Sequence, residues 1–93
     1  MNKGYVYILT NKTKTVLYIG VTSNIVKRVY EHKTHAVNGF TARYNTDRLI
    51  YLEEYSSIQD AIAREKQLKG WRRSKKIDLI KTQNPEMNEI DFI

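Results

Sequence analysis

Ninety-three residues make room for one domain, and a chain of this length buries only about 60–68% of the surface it exposes when unfolded. It contains no cysteine, which excludes a disulfide scaffold and a thiolate-ligated zinc, and no apolar run long enough to cross a bilayer. The formal charge of +6 is uneven: Glu86, Glu89 and Asp91 follow Gln83 without a lysine or arginine among them, so residues 1–83 hold sixteen bases against seven acids, an excess that favours polyanions, of which nucleic acid is the commonest.

One lysine precedes the first strand-like segment and no small-residue cleavage site follows, so a secretory signal is not expected and a cytoplasmic protein is. From residue 5, Tyr5, Tyr7 and Leu9 alternate with Val6 and Ile8. After the polar stretch Asn11 to Lys14, Val16, Tyr18 and Gly20 alternate with Leu17 and Ile19. This period of two around a turn predicts a β-hairpin. A loop symmetric about residues 12 and 13 sets Tyr7 opposite Tyr18, Leu9 opposite Val16 and Tyr5 opposite Gly20, with an aliphatic reverse face.

"TSNIVKRVYEHK" changes to helical spacing: Thr22, Ser23 or Asn24 can cap it, and Ile25, Arg28, Val29 and His32 share a face. Between Thr34 and Asp47 the pattern is weak, with Gly39 as a turn point, Phe40 as a plug and room for one short helical turn. "RLIYLEEY" reads as a third strand, Leu49, Tyr51 and Glu53 alternating against Ile50 and Leu52. Ser56 or Ser57 opens the next helix, with Gln59 or Asp60 at capping-box distance, Gly70 at its end, and a stripe of Ile58, Ala61, Ile62 and Leu68 that includes Glu65. "WRRSKKIDLIK" is a last helix offering Trp71, Ile77, Leu79 and Ile80 to a core, and Pro85 closes it. The expectation is a single domain over residues 1–83 and an acidic C-terminal tail over 84–93, which either packs Ile90, Phe92 and Ile93 on it or frays. The order β-β-α-β-α-α gives an α/β (α+β) fold, a small three-stranded antiparallel sheet flanked by helices, for which two layers suffice.

Polar residues in burying positions stand out. Tyr7 and Tyr18 can be structural, rings packed and hydroxyls bonded at a core edge; a phenol also relays or accepts a proton if nearby cations lower its pKa. Arg28 and His32 can lie at a core margin, or stabilise phosphoryl charge and shuttle a proton. Glu65 is costly in an apolar stripe unless it bridges to Arg28 or holds a hard cation such as Mg²⁺ with waters completing the shell. Between Arg64 and Lys76 seven bases surround Trp71 with one acid, Glu65; solvated helix ends account for Lys66 and Lys69, whereas Arg72, Arg73, Lys75 and Lys76 suit phosphate contacts that carry no base readout.

"YVY" at 5–7, "YIG" at 18–20, then Arg28, His32 and Glu65, in that order, resemble the GIY-YIG nuclease domain, and "KRVYEHK", "GFTARY" and "REKQLKGWRRSKK" look like its small stand-alone bacterial members. The resemblance runs from Tyr5 to about Ile80. It implies a metal-dependent DNA endonuclease core with one divalent ion, Mg²⁺ or Mn²⁺, on Glu65, no organic cofactor, and no membrane. It also implies that Tyr7 is the general base with Tyr18 in support, Arg28 stabilises developing charge, and His32 assists. A polar residue of the last helix often contributes, and Asn84 is the only late candidate. Lys27, Arg43, Lys69, Arg72, Arg73, Lys75 and Lys76 are the expected nucleic-acid contacts. The first triplet lacks the family's leading glycine. Many relatives carry a separate module that selects the site; without one, cleavage of branched or nicked duplex in a structure-selective manner is expected in place of sequence specificity. The alternative is a non-catalytic nucleic-acid-binding module that acts as an accessory in DNA repair or recombination.

Overall fold

A computed structural model describes residues 3–35 and 39–91. Its elements are β1 (Gly4–Thr10), β2 (Leu17–Thr22), α1 (Ile25–Lys33), α2 (Phe40–Tyr44), β3 (Arg48–Tyr55), α3 (Ile58–Lys69) and α4 (Arg73–Gln83). The three strands form one antiparallel sheet in the order β2-β1-β3, so the strand carrying Tyr7 is central. This is the expected three-stranded sheet flanked by helices, with the short helical turn realised as α2.

The hairpin register differs from expectation by two residues. Tyr7 pairs with Gly20, Leu9 with Tyr18 and Tyr5 with Thr22. The cause lies in the loop. Asn11 Oδ1 accepts from the backbone N–H groups of Thr15 (2.9 Å) and Val16 (3.1 Å), and Thr10 Oγ1 donates to the Val16 carbonyl at 2.7 Å, so the ladder begins only at Thr10–Leu17. An asparagine side chain replacing ladder bonds in this way favours a longer loop over a tight turn. Because the slip is even, every side chain keeps its face.

The alternation expected in β3 is also broken. Ile8 pairs with Tyr51 and Leu9 with Leu49, leaving Ile50 as an extra residue in a β-bulge. Leu49 and Leu52 therefore join Tyr7 and Leu9 on one face, while Ile50 and Tyr51 join Val6 and Ile8 on the other. The first face is covered by α1 through Ile25 and Val29; the second is covered by Ala61 and Leu68 of α3 and Ile80 of α4. Helices thus lie on both faces, giving three layers instead of two.

Asn24 caps α1, accepting from Lys27 N at 3.1 Å, and Ser57 caps α3, accepting from Gln59 N at 3.2 Å. Two expected core residues lie outside it: Ile62 is 37% exposed and Phe40 is 47% exposed, so Phe40 is not a plug. Beyond α4 the chain folds back. Met87 is buried with the α3 and α4 residues, and Ile90 packs against the other cluster, that of Tyr7 and Leu9, its N–H donating to the Leu49 carbonyl at 2.7 Å. The Gln83 carboxamide bonds both the N–H (3.1 Å) and the C=O (2.9 Å) of Leu52, and Asn84 Nδ2 donates to the carbonyls of Ile50 (3.0 Å) and Asn88 (2.7 Å). These contacts make Asn84 a structural clamp on the bulge. Phe92 and Ile93 lie outside the described residues. Among those described, no helix is long and apolar enough to cross a membrane.

Candidate active site

Tyr7 is fully buried, and its ring occupies the space that a side chain at position 20 would need: a Cβ on Gly20 would stand 2.3 Å from both Cζ and Oη of Tyr7. The glycine opposite is therefore what lets the phenol cross toward β2. From α1, Arg28 Nη1 donates to Tyr7 Oη at 3.3 Å, and His32 Nε2 lies 3.3 Å from the same oxygen. A guanidinium only donates, so the phenol oxygen accepts from Arg28, while the ring tautomer of His32 sets which of Tyr7 Oη and His32 Nε2 donates to the other. The other ring nitrogen, Nδ1, is hydrogen-bonded to the buried Thr41 Oγ1, 3.1 Å away, a hydroxyl that can serve either tautomer as acceptor or donor.

Burial, reinforced by the Arg28 charge, holds the His32 imidazole below its ordinary 6.5, against a smaller opposing pull from Glu31, so the ring is neutral at pH 7. Tyr7 departs from expectation. Burial pushes its pKa above 10 and outweighs the Arg28 hydrogen bond and charge; Tyr18 and Glu65 push it further up. Nearby cations do not make it a ready phenolate.

Tyr18 lies diagonal to Tyr7, with ring centroids 6.3 Å apart and the His32 ring 5.8 Å away. It is half-buried, and its hydroxyl has no hydrogen-bond partner among the described residues. Arg28 Nε also meets Glu31 at 3.3 Å, so the bridge considered between Arg28 and Glu65 is not formed. Glu65 instead pairs with Lys69 at 2.9 Å, its side chain 13% exposed, close enough for its charge to act on Tyr7. Among the described residues, no three histidines, cysteines or acids gather as a metal cage. A single shielded carboxylate does fit an Mg²⁺-like ion, which keeps several waters and binds through one or two carboxylates plus substrate phosphate.

Two recesses flank this cluster. A groove of about 320 Å³ is lined by Leu17, Tyr18, Ile19, Phe40, Lys69 and Lys76; a polar one of about 310 Å³ is lined by Thr22, Ser23, Asn24, Lys27, Arg28 and Glu31. Lys27, Lys69 and Lys76 thus border the site, and Arg43 lies over the Tyr44 ring at 5.6 Å, beside Phe40. Arg72 is exposed at the start of α4. Arg73 is tied to the Lys14 carbonyl (3.3 Å), and Lys75 lies 4.1 Å from the Trp71 ring centre, with Arg64 over the same ring at 5.3 Å. The tryptophan in the basic run is therefore a clamp for two cations. Sequence reasoning missed Thr41 and the Glu65–Lys69 pair. The four-residue spacing of the pair was legible, whereas nothing local marks Thr41.

A family model described as the GIY-YIG catalytic domain matches residues 3–78. A UPF0213 protein of Syntrophus aciditrophicus is 43% identical over 90 residues, covering 92% of this chain and 98% of that one. Another, from Staphylococcus saprophyticus, is 36% identical over 84 residues (86% and 96%), and one from Natronomonas pharaonis is 34% identical over 76 (82% and 88%). These relatives span bacteria and archaea, a wider range than the bacterial one expected. The solution NMR structure of a UPF0213 protein from Bacillus halodurans is similar with a TM-score of 0.59 and 26% identity, covering 90% of this chain and 88% of that chain.

Proposed function

Because this chain belongs to the GIY-YIG catalytic-domain family, we propose that it is a divalent-metal-dependent endonuclease that hydrolyses DNA phosphodiester bonds, selecting its substrate by structure and not by sequence. The observation that carries the reading is the Tyr7 hydroxyl held between Arg28 and His32, with the Glu65 charge reaching the same phenol. Glu65 would hold one Mg²⁺ or Mn²⁺, which when bound supplies positive charge at the phosphate.

The raised pKa of Tyr7 determines how the residues would act. A phenol that does not ionise beforehand can still accept a proton from the attacking water while its own passes to the neutral Nε2 of His32. The water oxygen bonds phosphorus, the P–O bond to the leaving sugar oxygen breaks, and that oxygen takes a proton from solvent. In the tautomer that leaves Nε2 free to accept, Nδ1–H donates to Thr41 Oγ1, which holds the ring in place. Arg28 offsets negative charge on the phenol oxygen and on the phosphoryl oxygens, exchanging part of its contact with Glu31. A second reading rests on burial: Tyr7 is covered, whereas the half-buried Tyr18 has an uncommitted hydroxyl, so Tyr18 would meet the water.

The test is incubation with branched, nicked and flapped duplexes in Mg²⁺ or Mn²⁺. The parent cuts; Arg28→Ala and Glu65→Ala each lose about 10²-fold or more. Tyr7→Phe losing more than Tyr18→Phe supports the relay, and the reverse order supports Tyr18. Absence of cutting, or cutting by both alanine variants at the parent rate, removes the nuclease reading. Duplex binding that survives Glu65→Ala would then leave the accessory binding module.

A further inference from the structure

The aromatic side chains beyond Tyr18 have no part in the proton relay. Phe40 stacks on Tyr18 with centroids 6.0 Å apart and planes 27° from parallel, Tyr44 stands 4.7 Å beyond Phe40, and Arg43 covers Tyr44. With Tyr7 at 6.3 Å from Tyr18, the rings form a continuous run from the buried phenol to the surface, where Phe40 and Tyr44 are 47% and 42% exposed. The groove alongside has an apolar wall from Leu17 and Ile19 and is bordered by Lys69 and Lys76. Its volume of about 320 Å³ lies at the small end of the ~300–1,000 Å³ range of ligand sites.

We propose that this groove is a stacking subsite for one unpaired nucleotide of the strand being cut, its base against Phe40 and its phosphates on Lys69 and Lys76. This rests on the nuclease reading and names the feature by which a substrate would be selected. A base inside duplex DNA has both faces covered by its neighbours, so an exposed ring beside a groove has nothing to stack on; an unpaired base has a free face, and cationic grooves with aromatic platforms hold single strands without reading sequence. Lys69 and Lys76 give the groove the charge a nucleotide phosphate requires, and the same lysine that lines it pairs with Glu65, which places the subsite next to the proposed reaction centre.

The test is binding in EDTA, where no cleavage intervenes, by fluorescence anisotropy of a labelled oligothymidine and of a blunt duplex. Phe40→Ala is expected to weaken oligothymidine binding about 5- to 150-fold, equivalent to the ~1–3 kcal/mol per base of aromatic stacking, and duplex binding less than twofold. Phe40→Trp should restore the single-strand affinity and Phe40→Leu should not, which separates stacking from apolar volume. Equal losses on both ligands, no loss on either, or rescue by leucine overturns the subsite. A parent that cuts branched DNA while Phe40→Ala binds single strands normally fails the subsite alone. Selective loss in a parent that cuts nothing supports the subsite and fails the catalytic reading.

Discussion

Gly20 and Tyr7 show how one residue's absence of a side chain can place another's functional group. With its Cβ at 2.3 Å from the phenol oxygen, Gly20→Ala forces Tyr7 off the Arg28–His32 contacts or the strands apart. We expect about 1–3 kcal/mol of destabilisation in a denaturant melt, as for overpacked cores, with loss of cleavage. At His32 the expectation concerns pH. The ring has to be neutral to take the Tyr7 proton, and its pKa lies below 6.5. Cleavage measured as kcat/KM should fall on the acid side with its midpoint below pH 6.5, and His32→Gln should lower the plateau and remove that decline. The phenols, arginine and imidazole were legible because strand and helix periodicities put each on a defined face, whereas the expected register set Gly20 against Tyr5 and so hid its place opposite Tyr7. The sign of the Tyr7 shift was not, since it depends on depth of burial, which alternation does not encode.

At the scale of elements, the errors came from irregularities that no period contains. The loop anchored by Asn11 moved the hairpin by two residues, and the bulge at Ile50 redistributed β3 between two cores. Both left the site intact: one shift was even, and the other falls past the Tyr7–Leu52 pair. The link between β3 and α3 was equally hidden. Glu53 accepts from Arg64 (3.0 and 3.1 Å) and from the hydroxyls of Tyr51 and Tyr55 (2.7 Å for the latter). Burial pushes this carboxyl up, but the Arg64 and tyrosine bonds together hold it below its ordinary 4.5. A depressed carboxyl contributes stability in full above the unfolded value and loses it as pH falls through the folded one. Arg64→Met should therefore cost about 1–3 kcal/mol at pH 7, and the gap between parent and variant should narrow below pH 4.5 in urea melts taken across that range.

Over the whole molecule the positive charge has two kinds of position. Lys27 and Lys76 border the recesses on either side of the Tyr7 cluster, whereas Arg73 and Lys75 are engaged by Lys14 and Trp71. Each neutralisation at Lys27 or Lys76 should reduce the slope of log affinity against log salt for duplex DNA by about 0.9, and neutralisation at Arg73 or Lys75 should change it less. Composition revealed the charge but could not divide it this way, because the division is made by contacts distant in sequence. The return of the chain past α4 has a wider result. With the amides of Gln83 and Asn84 and the N–H of Ile90 bonded to Leu52, Ile50 and Leu49, the outer rim of β3 is no template for a foreign strand. A chain shortened ahead of Gln83 would bare that rim, and its copies would zip together edge to edge.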